Sequence, residues 1–220
     1  ARSAIRGGAT SLGVATLLEG LELRRAGLDS PILILGNLIC GEELRACLHW
    51  KLVPTLSGMR EVLLCNDLAS GTGRQFLVQL KVDTGMTRLG CDLNEASFLV
   101  EKIHELSYLR LEGVYSHLAS ADGESQAITY QQQKRFDDVI GTLTVENHRL
   151  CRHLANSAGT LRDRALHYDM VRVGLALYGY NPISNLKTDF VLHPALSVKA
   201  RVTWIRDVPA GVGVSYGHNF

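Results

Sequence analysis

The segment Lys81-Val82-Asp83-Thr84-Gly85-Met86-Thr87-Arg88-Leu89-Gly90 gathers two cations and an acid just past a β-prone run. Gly85 and Gly90 permit backbone turns that other residues resist. Such a loop can hold an anion, and it can equally be an ordinary strand-to-helix connection carrying a solvated arginine. His117 closes the run Gly113-Val114-Tyr115-Ser116. A histidine there can move a proton near neutral pH, although a structural role is the commoner one. Asn156-Ser157 follows His153-Leu154-Ala155. Small polar residues opening a helix either bind phosphate through backbone N–H groups or simply cap the helix. Arg172 interrupts the apolar run Met170–Gly174. An arginine buried there requires a partner, either an acid such as Asp169 or a ligand. Tyr216, in Gly213-Val214-Ser215-Tyr216-Gly217, reads by itself as a loop tyrosine.

These residues need a frame. Short apolar runs predict strands near Leu12–Ala15, Ile32–Leu35, Leu52–Leu56, Phe76–Val82, Leu111–Leu118, Arg152–Ala155 and Met170–Gly174. Continuous apolar runs suit parallel strands covered on both faces. Helical stretches fall between them: Leu17–Ala26, Glu42–Trp50, Met59–Ala69, Asn94–Leu106 and Gln126–Leu143. Asn94 with Glu95 suits the start of the fourth, in which Phe98, Ile103 and Leu106 recur at helical spacing. Ordered β–α units without a GxGxxG after the first strand point to an α/β fold of the (β/α)8 TIM-barrel type, not a dinucleotide-binding sheet. The count is one strand short of eight, so the expected fold is such a barrel missing its first strand, with unpaired edges near Leu12–Ala15 and Met170–Val173. Beyond Pro182 the texture changes: Ser197–Val208 alternates and is β-branched, as in an antiparallel β domain. The expected division is a cofactor-binding barrel over 1–182 and the beginning of a β domain over 183–220. Arg88, His117, Asn156-Ser157 and Arg172 then share the mouth of the barrel, a set suited to a small anionic ligand such as a phosphate ester.

Composition narrows the classes. The 220 residues carry 23 Lys and Arg against 22 Asp and Glu, a formal charge of +1, which disfavours a nucleic-acid binder. Five widely spaced cysteines with no CxxC or HExxH give no expectation of a metal site or a disulfide framework, and fit a cytoplasmic setting. No apolar run approaches the roughly 18–20 residues of a membrane span, and no signal peptide opens the chain. The chain starts at Ala1 and stops at Phe220 within a motif, so both ends read as cut.

The motifs KVDTGMTRLG, VYSHLASAD, HLANSAG, DMVRVGLALYG and GVSYG, in this order, resemble the alanine racemases. The opening GATSLGVATLLEGLELRRAGLDSPILILG is similar to that family's second β–α unit. The resemblance implies a pyridoxal 5′-phosphate enzyme that interconverts L- and D-alanine by a two-base mechanism and supplies D-alanine for peptidoglycan. It implies that Arg88 lies near the cofactor's phenolic oxygen and the substrate carboxylate, with Lys81 at a position that is often carbamylated. Ser157 would contact the phosphate, with backbone N–H groups around Asn156, Gly174 and Leu175. Arg172 would face the pyridine nitrogen. Tyr216 would be the base for the L-enantiomer, acting at the neighbouring subunit's site in a homodimer, with His117 hydrogen-bonded to that tyrosine.

Two departures accompany the resemblance. Thr87 stands where glycine is common, and His218-Asn219-Phe220 is an unusual continuation after SYG. The family's Schiff-base lysine is expected upstream of Ala1, so the chain alone is expected to be incomplete and inactive. A serine or broad-specificity racemase could share these motifs, as could a non-catalytic cofactor-binding barrel if the lysine were truly absent. Incubation with pyridoxal phosphate, borohydride reduction and mass mapping is therefore expected to leave Lys51, Lys81, Lys102, Lys134, Lys187 and Lys199 without a stoichiometric adduct. An adduct on any of them would identify a substitute cofactor-bearing lysine.

Overall fold

Residues 1–143, 150–183 and 191–218 are described by the computed structural model. In chain order its elements are α1 (Arg2–Arg6), β1 (Leu12–Val14), α2 (Leu17–Arg25), β2 (Ile32–Asn37), α3 (Gly41–Trp50), β3 (Val53–Leu56) and α4 (Met59–Ser70), followed by β4 (Phe76–Lys81), α5 (Ala96–Glu105), β5 (Leu109–Tyr115), α6 (Ala127–Thr142), β6 (Cys151–His153) and α7 (Ser157–Arg162). The strands pair parallel in the order β1-β2-β3-β4-β5-β6, each with its chain neighbour. Parallel neighbours joined by helices curl into a partial (β/α) barrel.

The expected seventh strand is reduced to one parallel bridge, His153 with Met170. Bonds from Asp169 N–H to the Arg152 carbonyl (3.0 Å) and from Arg172 N–H to the Ala155 carbonyl (2.9 Å) flank it. The segment occupies the seventh place, but the ladder stops where Gly174 leads into the 3₁₀ turn Leu175–Tyr178. The antiparallel strand expected over Ser197–Val208 does not form: Val198, Val202, Trp204 and Ile205 are exposed. An alternating segment becomes a strand only when another segment accepts its ladder bonds, and no described residue pairs with this one. Of the region expected as a β domain, residues 184–190 and Asn219 and Phe220 lie outside the described residues.

Alternation of side chains across the strands produces two cores. Phe76, Val78 and Leu80 of β4 join Ile32, Ile34, Val114 and Leu154 in the large core between sheet and helices. The opposite, concave face carries a small apolar cluster of Leu33, Val53 and Tyr115, with Leu35 and Leu77 against it. It also carries polar residues buried from water: Thr55, Gln79, Lys81 and His153. Helix α5 differs from expectation in one respect. Its buried stripe is Ala96, Leu99, Val100 and Ile103, an i, i+3, i+4, i+7 pattern, and Phe98 lies outside it, exposed beneath the Lys102 ammonium. Among the described residues no helix is long and apolar enough to cross a membrane.

Local chemistry fixes the connections. Thr16 accepts from Glu19 N–H (3.3 Å) while the Glu19 carboxylate accepts from Thr16 N–H (3.0 Å), a capping box that starts α2 directly after β1. At the other end of α2, the Arg24 guanidinium donates to the carbonyls of Trp50 (2.9 Å), Leu28 (2.6 Å), Ser30 (2.8 Å) and Lys51 (2.8 Å). One side chain thus ties together the loops that lead into β2 and β3. Arg24→Met is expected to lower stability by about 2 kcal/mol, seen as a fall of about 4–8 °C in melting temperature. An unchanged melting temperature would mean that water satisfies those carbonyls equally well.

Candidate active site

Lys81, Tyr115 and His153 are the final residues of β4, β5 and β6, so three adjacent strands deliver them to one mouth. Arg172 comes to the same place from the segment beside β6. Its guanidinium reaches His153 Nδ1 (2.6 Å), the carbonyls of Ser116 (2.6 Å) and Leu154 (3.2 Å), and His117 Nδ1 (3.3 Å). Among the described residues no carboxylate lies within ion-pair distance of it; Asp169 binds Arg152 instead, at 2.7 Å. Arg172 therefore carries its charge among neutral acceptors.

That charge dictates the protonation of its neighbours. A guanidinium has no acceptor, so His153 Nδ1 must accept, and the ring hydrogen sits on Nε2 and is donated to Gln79 Oε1 at 2.8 Å. Burial, reinforced by Arg172, holds His153 well below the usual imidazole range. The same two causes, with Lys81 and Arg88 adding to them, push His117 down to about 4, so both imidazoles are neutral at pH 7. The Tyr115 ring stacks on His153 with centroids 4.7 Å apart and lies 5.0 Å from the Arg172 guanidinium carbon. Thr55 gives its single hydroxyl hydrogen to the Ile34 carbonyl (2.6 Å) and so accepts from the Tyr115 hydroxyl (2.7 Å). Burial pushes that phenol up to about 12, which keeps it protonated.

Lys81 is buried with its ammonium 5.6 Å from the Tyr115 ring centroid. Burial, then the fields of Arg88 and Arg172, push its amine down to about 8, opposed by Asp83. The loop that follows is built around Asp83, whose carboxylate accepts from the N–H groups of Gly85 (2.9 Å) and Thr87 (3.0 Å). Thr87 has φ +54°, the left-handed region in which glycine carries no steric cost. Arg88, one residue on, is exposed at the mouth.

A second group of donors stands nearby. Ser157, buried at the start of α7, accepts through Oγ from the N–H groups of Gly174 (2.9 Å) and Ala176 (3.2 Å). Both amides are satisfied by that oxygen, which leaves the Ser157 hydroxyl hydrogen to meet an acceptor such as a phosphate oxygen. Together with the positive charge of Arg172, which meets no carboxylate among the described residues, this hydroxyl suits a phosphorylated ring bearing a basic nitrogen.

The structure thus brings together Arg172, His117 and Lys81, and separately Ser157 with Gly174; Leu175 lies between the two converging amides in sequence. Asn156 is the cap of α7, its Oδ1 accepting from Gly159 N–H (3.0 Å) and its Nδ2 donating to the Leu118 carbonyl (3.2 Å). Tyr216 is fully exposed in a turn and touches none of these groups within the chain, where His117 is bonded to Arg172. Sequence reasoning missed His153, Gln79 and Ala176. A signal existed for the first two, since a polar residue at an alternate position of a buried strand must find a partner.

The sequence profile of the family described as "Alanine racemase, N-terminal domain" matches residues 1–182. The chain belongs to the alanine racemase family. Its sequence is 57% identical to the alanine racemase of Prochlorococcus marinus over the whole chain, which spans 58% of that relative's length. The crystal structure of alanine racemase from the D-cycloserine producer Streptomyces lavendulae superposes with a TM-score of 0.87 at 34% identity, covering 100% of this chain and 59% of that one. A histidine racemase from Leuconostoc mesenteroides gives a TM-score of 0.82 at 28% identity, over 99% of this chain and 58% of its own.

The racemase-family site makes a definite titration prediction. The folded state holds His117 neutral where the unfolded chain, with an ordinary value near 6.5, is protonated. Stability therefore falls as pH drops from about 6.5 towards 4. An NMR titration of His117 should give a midpoint near 4 in the native protein, moving up towards 6.5 in Arg172→Met. An unmoved midpoint would remove Arg172 from the causes.

Proposed function

We propose that this protein is a pyridoxal-phosphate-dependent alanine racemase, an isomerase that interconverts L- and D-alanine in the cytoplasm and supplies D-alanine for peptidoglycan. The observation that carries the reading is the Arg172 guanidinium, bonded to neutral acceptors and to no carboxylate among the described residues, on the segment that runs into the turn bonded to Ser157. Pyridoxal phosphate, when bound, supplies an electron-withdrawing ring that acidifies the α-C–H of an amino acid joined to it.

The chain's own residues divide the remaining work. The Ser157 hydroxyl, with backbone N–H groups around Asn156, Gly174 and Leu175, would hold the phosphate. Arg172 donates a hydrogen bond to the ring nitrogen, and because a guanidinium keeps its proton it does not transfer one. A ring nitrogen that only accepts a hydrogen bond from Arg172 would make the bound cofactor a weaker electron sink, so this arginine would favour racemisation over transamination. Arg88 binds the phenolic oxygen and orients the substrate carboxylate. Lys81, with an amine pushed down to about 8, has an appreciable neutral fraction near pH 8, the form that combines with carbon dioxide to give a carbamate. That acid-like group would anchor Arg88. Tyr216, from the partner in a homodimer, exchanges the proton on the L-face, and neutral His117 sets its hydrogen bonding. An opposite base serves the D-face.

A second reading keeps the chemistry and changes the amino acid, serine or a broader range. The likeness to a histidine racemase at a TM-score of 0.82 favours testing it. The complete protein that contains these residues, with pyridoxal phosphate, should convert L-alanine in deuterium oxide to α-deuterated D-alanine, faster than it converts serine or histidine. Cofactor binding without racemisation of any of the three would overturn the proposal. In Tyr216→Phe, α-proton exchange from L-alanine should fall about 100-fold, with exchange from D-alanine much less affected. An equal loss from both enantiomers would remove Tyr216 from the L-face.

A further inference from the structure

Gln132 lies on α6, outside every group described so far, and is fully buried. Its amide makes hydrogen bonds in three directions. Oε1 accepts from Ala119 N–H at 2.8 Å, and Nε2 donates to the His117 carbonyl at 3.0 Å and to Thr84 Oγ1 at 3.2 Å. Thr84 is itself a junction: its hydroxyl meets Ser116 Oγ at 2.8 Å, and its carbonyl accepts from Arg135 of the same helix at 3.0 Å. Both Thr84 and Ser116 are buried. One side chain on a rigid helix therefore grips the loop after β4, which carries Arg88, and the loop after β5, which carries His117.

We infer that Gln132 is a positioning residue that sets the Arg88 loop and the His117 loop at a fixed separation, so that the groups at the substrate carboxylate and at the tyrosine base act in register. This rests on the racemase reading above. The geometry also says what Gln132 does not do. The groups bonded at Ser157 lie at the start of α7 and in the 3₁₀ turn at Gly174, and neither of these bonds involves α6. Loss of Gln132 should therefore disturb proton transfer and leave phosphate binding alone, a split that general destabilisation would not give.

The test uses the complete protein that contains these residues, with pyridoxal phosphate. Gln132→Met keeps the volume and removes all three bonds. Gln132→Glu keeps an acceptor for Ala119 N–H and, as a carboxylate, loses both donors, so it serves where the methionine variant does not fold. Each is expected to lower kcat by up to about 100-fold, the scale of a misplacement near 1 Å. The alanine KM should rise as well, because the Arg88 loop meets the substrate carboxylate, while the contacts at Ser157 keep cofactor affinity within a few-fold, and the His117 side-chain resonances should shift. Thr84→Val breaks the same network, so in the double variant with Gln132→Met the loss in kcat should match the larger single loss and not the product. Multiplying losses would overturn the inference, as would unaltered His117 resonances with native kcat in a variant that merely melts earlier. If the parent protein racemises no amino acid, the proposed function fails, and the His117 resonances still decide whether Gln132 positions that loop.

Discussion

A guanidinium held at the barrel mouth with no carboxylate partner among the described residues is the constraint on which the rest of this site depends. Arg172 cannot give up its proton and finds only neutral acceptors. Its presence compels His153 to be the Nε2–H tautomer and so fixes which end of Gln79 faces it. The same charge, added to burial, discourages protonation of His117 and of Lys81. A buried charge is costly unless it is well solvated by hydrogen bonds. The structure supplies them from β5, β6 and the segment that follows, and so holds those elements to one another. The net result is a mouth with an excess of positive charge and neutral bases, poised to accept an anion.

Much of this was legible in the residues. Apolar runs bounded by glycine and proline gave the six strands and five of the helices to within about three residues at each end, because burial on both faces leaves little else a strand can be made of. Arg172 stood out by interrupting such a run, and Arg88 by lying between two glycines. The interior polar residues were concealed by the same logic: in Phe76–Lys81, FLVQLK, one glutamine among apolar residues does not announce that it faces a histidine on β6. Gln132 was harder still. It is the middle of three successive glutamines, and only the rotation of α6 distinguishes the buried one from its exposed or half-buried neighbours. Ser197–Val208 misled for the opposite reason, since alternation states a capacity for pairing and not the presence of a partner.

Thr87 shows how the loop geometry and the sequence departure belong together. The Asp83 carboxylate draws in two N–H groups within four residues, and this tight wrap forces a left-handed φ at Thr87. Glycine is common at that position in the family the chain resembles. Threonine there stores about 1–2 kcal/mol of backbone strain immediately beside Arg88.

The division of the apolar interior into two unequal parts separates what keeps the protein folded from what it does. The large cluster between sheet and helices holds most of the buried hydrocarbon, whereas the concave face is lined at Thr55, Gln79, Lys81 and His153 by polar side chains that bind one another or the mouth. Exchanging one inward polar group for another alters hydrogen-bond geometry with little change in the apolar area withdrawn from water. Lineages built on this scaffold can therefore change the chemistry of their lumen without repacking the large core, wherever the incoming polar group finds a partner of its own.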